Sequence, residues 1–169
     1  KISGTFIQRG MKMPLLLTKR WGVEQPKPQT PQAPFAYAME TVKFAHSSGQ
    51  LSIQGILSKP MDSGKRYPVC ILISGSGPQD RDGSIGKHKP FAVIADHLSQ
   101  RGFAVLRCDD RGVGGSIGNP DYLKATTTED LAGDVREMIR FLRGRADIDT
   151  NKIFLIGHSE GGIIAPMVA

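Results

Sequence analysis

Gly157-His158-Ser159-Glu160-Gly161 sets a serine between two glycines, directly after the apolar run Ile153-Phe154-Leu155-Ile156 and before Gly162-Ile163-Ile164-Ala165. A strand that turns sharply into a helix holds such a serine on a strained backbone with its hydroxyl exposed. Glycines two positions to either side let the flanking segments approach without Cβ clashes. The hydroxyl then stands at the carboxyl end of a sheet, where open α/β sheets take their ligands, and the helix start favours a developing negative charge. The chemistry that suits this arrangement is attack by Ser159 on a carbonyl carbon. A blander role, with Ser159 only capping a Gly-rich helix start, uses the same residues.

Attack on a carbonyl needs two backbone N–H donors aimed at the oxygen that becomes negative. One is the amide of Glu160, the residue after the serine. The other belongs to the loop Ser74-Gly75-Ser76-Gly77-Pro78-Gln79-Asp80-Arg81-Asp82-Gly83. Ser76 or Gly77 can donate there, whereas Pro78 has no N–H. The serine also needs a base and a carboxylate that orients it. Of the four histidines, His158 precedes Ser159 in an extended strand and points to the opposite face. His97 falls on a helix face and His46 at the far end of a hairpin, while His88 follows the 74–83 loop and lies nearest the site. None of the four has the placement of a base.

The elements that position these residues follow from hydrophobic periodicity. Residues 38–47 and 51–60 alternate apolar and polar like an edge hairpin, whereas 67–75, 103–110 and 152–159 are dense apolar runs suited to strands buried on both faces. Between the dense runs, 89–102 carries Phe91, Ile94, Ala95 and Leu98 on one helical face with Gly102 as its stop. Residues 126–145 open on threonines and acids and close on arginines, in keeping with a helix dipole. Strand, helix, strand, helix, strand predicts parallel strands with right-handed crossovers, hence an open, mostly parallel α/β sheet with helices on both faces. The glycines of Asp109-Asp110-Arg111-Gly112-Val113-Gly114-Gly115-Ser116 do not make a dinucleotide fingerprint, because a loop (119–128) rather than a helix follows them.

Three segments divide the chain. Residues 1–20 read as two short strands around a turn at Gly10, the tail of something that begins earlier, since two strands alone are marginal in water; they resemble the end of a preceding small β-rich domain. Residues 21–35 hold prolines 26, 28, 31 and 34 and form a linker. Residues 36–169 hold the α/β portion. The net charge of +6 is concentrated in residues 1–35, which carry six basic residues against Glu24 alone. The nearly neutral remainder offers no phosphate-binding stripe, so no nucleic-acid partner is expected. No apolar run is long enough for a membrane span, and residues 1–12 lack the apolar core of a signal peptide. No membrane partner follows, and the compartment stays open. Cys70 near the start of one dense strand and Cys108 near the end of another are too far apart for a disulfide if the strands are parallel neighbours.

The succession of dense strand, Gly-Ser-Gly-Pro loop, helix, strand, DDRGVGGS turn, helix, strand and GHSEGG resembles the α/β-hydrolase superfamily, specifically its bacterial serine esterases and aminopeptidase-like hydrolases, from about residue 36 to the end. The resemblance implies hydrolysis of an ester, or alternatively of a peptide-like amide, through an acyl-enzyme on Ser159, with no metal or organic cofactor. It favours Ser76 as the second N–H donor and makes Asp110 and Arg111 a loop-fixing pair. Glu160, beside the serine and at the helix start, either contacts a substrate amine, which favours the amide, or only caps the helix. The family's order of nucleophile, acid, histidine places both missing partners after residue 169. Against the roughly eight strands of the family sheet this chain supplies about five, which would leave an open edge. The expectation is therefore an N-terminal part completed by the remainder of the same polypeptide or by a second fragment. A hydrolase-like binding module without a triad is the remaining alternative.

Overall fold

In the computed structural model, which describes residues 1–8, 10–17, 29–61 and 64–169, the chain opens on an antiparallel pair, β1 (Ile2–Gln8) and β2 (Met11–Leu17). Gly10, at φ +80°, makes the turn between them. Most of the linker, including Pro26 and Pro28, lies outside the described residues, and residues 29–36 are neither strand nor helix.

The second sheet has six strands. β3 (Tyr37–Ala45) and β4 (Leu51–Pro60) form the expected hairpin. β4 also pairs antiparallel with β6 (Ala104–Cys108) and with the short β7 (Ile117–Gly118). β6, β5 (Tyr67–Ile73) and β8 (Ile148–Gly157) run parallel, and the order across the sheet is β3-β4-β6-β5-β8. β5 comes first in the chain yet lies between the other two parallel strands, so the crossover from β5 to β6 and the one from β6 back past β5 to β8 run in opposite directions across the sheet. The crevice of such a switch point opens at the carboxyl ends of the strands.

Helices cover both faces, which is why β5 and β6 are apolar almost without alternation. On one face α1 (Pro90–Ser99) buries Phe91 and Ala95 against Leu72 and Val105. On the other, α3 (Thr128–Arg143) and α4 (Gly161–Val168) pack Ala132, Val135, Met138, Leu142 and Ile164 against Ile53, Leu57, Ile71 and Leu106. Register explains the free, buried Cys70 and Cys108: Cys70 sits opposite Val105, three residues before Cys108.

Thr127 starts α3 with a reciprocal cap. Its hydroxyl accepts from the Asp130 N–H at 3.2 Å, and the Asp130 carboxylate accepts from the Thr127 N–H at 2.8 Å. Thr127→Ala is expected to cost about 1 kcal/mol, read as a lower urea midpoint at unchanged slope; an unmoved midpoint would show that the cap carries no weight.

Two element boundaries differ from expectation. The 119–128 segment is not all loop, because Pro120–Lys124 forms a one-turn helix, α2, in which the Asn119 side chain accepts from the Asp121 N–H. Asn before Pro is a cap followed by a favoured first helical residue, a signal too short for a periodicity scan. β8 starts at Ile148 rather than 152, because Ile148 pairs with Tyr67 ahead of a register shift. Among the described residues no helix is long and apolar enough to cross a membrane.

Candidate active site

β5 and β8 end side by side: Ile73 is in register with Gly157, and the His158 N–H donates to the Ile73 carbonyl at 3.0 Å. The segments that follow, 74–79 and 158–160, are therefore neighbours. Ser159 is exposed and has φ +54°, the one positive value outside glycine among the described residues. A non-glycine residue held there costs about 1–3 kcal/mol, which the surroundings must sustain.

The elbow glycines explain how. A methyl on Gly157 would fall on the Gly161 carbonyl, and one on Gly161 would meet the Ile73 and Ser74 carbonyls. Strand and helix start are thus in backbone contact, and the chain turns in three residues. From there Gly161, Gly162 and Ile163 N–H donate to the carbonyls of His158, Ser159 and Glu160, winding directly into α4. A third glycine, Gly75, was not anticipated. A Cβ there would lie 3.0 Å from the Ser159 Cβ and 3.3 Å from the His158 Nδ1. Its only signal in the sequence is the alternation Ser74-Gly75-Ser76-Gly77.

The candidate donors lie on both sides of this turn. Among the described residues, the N–H groups of Ser76, Gly77 and Glu160 donate to no other protein group. Gly77 is at φ +81°, so the 74–83 loop turns there before Pro78. The Glu160 carboxylate accepts from the Thr128 hydroxyl at 2.6 Å and from the Ser76 hydroxyl, and these two bonds hold it below the usual carboxylate range. Gly77, Pro78, Asp110, Thr128, Leu131 and Glu160 contribute to the walls of a cavity of about 440 Å³. The His158 ring faces a second, more apolar cavity of about 600 Å³ with Phe91, Ile94 and Ile156.

Asp110 and Arg111 do not pair with each other; the Val113 N–H donates to the Asp110 carbonyl at 2.9 Å, so the chain turns at Arg111 and the two side chains have different partners. The Arg111 guanidinium makes two 2.8 Å bonds to buried Asp134 on α3, a third to the Asp130 carbonyl, and lies over the Tyr122 ring. Asp110 instead accepts from the Ser74 hydroxyl at 2.5 Å and from the Gln79 N–H at 2.8 Å. Burial raises the Asp110 carboxyl to about 6. A folded value above the ordinary one means that Asp110 favours the fold when protonated: its contribution is full below about pH 4 and is lost as the pH rises through about 6. Asp110→Asn should therefore gain stability relative to the wild type between those pH values. Urea unfolding at both tests this, and a pH-independent difference would contradict it.

The histidines are distributed elsewhere. His46 is not remote from the sheet's functional end: its Nε2 is 3.5 Å from Asp134 and its Nδ1 is 2.9 Å from the Ser48 hydroxyl. His97 on α1 contacts Arg101 just past the helix end, and the His88 backbone bonds Ile85. Among the described residues no histidine is hydrogen-bonded to Ser159. β8 pairs with β5 on one side alone among the described strands, and Phe154 on β8 and Ile163 and Met167 on α4 are exposed.

Comparison with known proteins bears on the fold and the family. Residues 83–169 match the family model described as serine aminopeptidase, S33. Esterase EstD of Thermotoga maritima is 32% identical over 117 residues, covering 69% of this chain and 27% of that protein. Among solved structures, the α/β hydrolase GrgF of Penicillium sp. sh18 superposes with a TM-score of 0.62 at 21% identity, covering 78% of this chain and 41% of that one. The Pyrococcus furiosus esterase Pf2001 gives 0.59 at 22% identity, covering 88% and 50%. The chain thus spans about a quarter of the curated relative and half or less of these structures. With that match over residues 83–169 and the α/β-hydrolase architecture around Ser159, the chain belongs to the serine aminopeptidase S33 family.

Proposed function

We propose that Ser159 is the nucleophile of a serine hydrolase acting on carboxylic esters. Its Oγ attacks the acyl carbon; the N–H of Glu160 and that of Ser76 or Gly77 receive the oxyanion; a histidine takes the Oγ proton and passes it to the departing alkoxide. Water then cleaves the acyl–Oγ bond, and the histidine returns a proton to Ser159. The histidine and its acid are supplied from outside residues 1–169. The completing part also lies along the open β8 edge. The observation that carries this reading is the positive φ of Ser159 at a strand-to-helix turn, beside N–H groups that donate to nothing else.

Ester substrates are favoured by the names of EstD and the Pyrococcus esterase. The Glu160 carboxylate, facing the 440 Å³ cavity, supports a second reading in which a substrate amine is held there and an amide is cut, as the family description has it. Full-length protein assayed on p-nitrophenyl acetate and on an aminoacyl p-nitroanilide separates the two. The first reading expects an acyl-enzyme burst with the ester and much slower anilide turnover. Anilide cleavage with the higher kcat/KM would transfer the assignment to the second, and no turnover of either would leave a binding module.

A further inference from the structure

The 74–82 segment crosses the end of β6 and is fastened there at successive points. Asp82 lies 3.2 Å from buried Arg107 and 3.0 Å from Lys89. The Arg81 guanidinium and N–H both bond buried Asp109. At Gln79, the N–H donates to the Asp110 carboxylate at 2.8 Å, while the Gln79 carbonyl accepts from the Asp110 N–H at 3.0 Å. Asp110 differs from its neighbours because its second oxygen accepts from Ser74, at the end of β5. One carboxylate therefore grips both ends of a six-residue arc whose middle holds Ser76 and Gly77.

Within the arc the Gln79 side-chain amide donates to the Ser76 carbonyl at 3.3 Å and the Ser76 hydroxyl donates to Glu160, but neither bond fixes the two ends of the arc relative to each other. Gly75 carries no side chain and lies against Ser159, Gly77 occupies a left-handed conformation, and Pro78 has no N–H. A donor for an oxyanion must be fixed before the reaction, since a misplacement of 1 Å can cost about a hundredfold in rate.

We propose that Asp110 is a positioning residue for the oxyanion site: by holding Ser74 and Gln79 it sets the arc between them so that the Ser76 and Gly77 N–H groups face the carbonyl attacked by Ser159. The inference rests on the reading of Ser159 as nucleophile. The charged groups around Asp110 are Asp109 on its own segment, Asp134 from α3 with its partners Arg111 and His46, and Glu160 across the cavity. Arg81 and Arg111 are already engaged by Asp109 and Asp134, so the two donors from Ser74 and Gln79 are what Asp110 has to grip.

The test is turnover of p-nitrophenyl acetate by full-length protein, expressed per Ser159 counted by fluorophosphonate titration. For Asp110→Asn, whose amide offers a donor where an acceptor is needed, kcat per titrated site should fall about 30–100-fold with KM changed less than about threefold, the signature of a contact felt in the transition state. Ser74→Ala keeps the carboxylate and removes one anchor, and should lower kcat about 3–10-fold in the same sense. It decides the matter alone if Asp110→Asn does not fold. A merely structural role would reduce the number of titratable sites or the Tm and leave kcat per site within about twofold of wild type, which overturns the proposal; so does a raised KM at unchanged kcat. Ser159→Ala run in parallel separates the two claims. If it retains turnover, the nucleophile reading fails and this inference with it; if it is inactive while Asp110→Asn keeps its kcat, only the inference fails.

Discussion

Ser159→Ala in the full-length protein is expected to lower kcat on an ester by roughly 10,000-fold or more, the loss seen when one member of a serine-histidine-acid set is removed. The residual rate would come from the oxyanion donors and from substrate binding, which the substitution leaves in place. Stability should change little. Alanine at φ +54° pays a steric penalty similar to that of serine, and the Ser159 side chain is exposed, so few buried contacts are lost. An unchanged Tm with abolished turnover identifies a reacting group. Turnover within tenfold of wild type would reduce Ser159 to a strained cap and leave the fold with some other use.

Gly157→Ala is expected to destabilise the fold by about 4 kcal/mol or more, at the exceptional end for single substitutions. The new methyl would collide with the carbonyl group of Gly161 and would lie 2.5 Å from the Gly162 nitrogen, backbone atoms that cannot move aside by changing rotamer. Relief would require β8 and the first turn of α4 to part, and α4 is tied to the core through Ile164. Gly162→Ala is the control. Its nearest neighbour is the Gly157 carbonyl oxygen at 3.9 Å, so the methyl has room, and alanine in a helix gains up to about 1 kcal/mol over glycine. Denaturant midpoints should therefore shift in opposite directions for the two variants, and equal shifts would contradict the close-contact account.

The central parallel strands, both long helices and the turn at Ser159 were legible because each rests on a local signal: an apolar run of strand length, a 3.6-residue period with caps, a serine between spaced glycines. Gly157 and Gly161 were singled out by the same spacing, and in the structure each lies where a Cβ would meet backbone atoms. Asp110 and Arg111 show where local reading stops. The turn that holds them is visible in the sequence, but their partners are Ser74, Gln79 and Asp134, between 23 and 36 residues away. Nothing in the spacing distinguishes two neighbours that bond each other from two that bond opposite walls of the site. Gly75 was missed likewise, because its constraint is the approach of Ser159 from the turn after β8. α2 escaped because one helical turn carries no period. His46 was misjudged because the hairpin end that bears it is reached by α3, a contact set by tertiary packing alone.

The most direct test of the central claim is to treat full-length protein with a fluorophosphonate and locate the adduct by mass spectrometry of its peptides. The account expects a single stoichiometric adduct on Ser159, formed more slowly when an ester substrate is present. An adduct on another serine, or intact protein that carries none while it turns over ester, would contradict it.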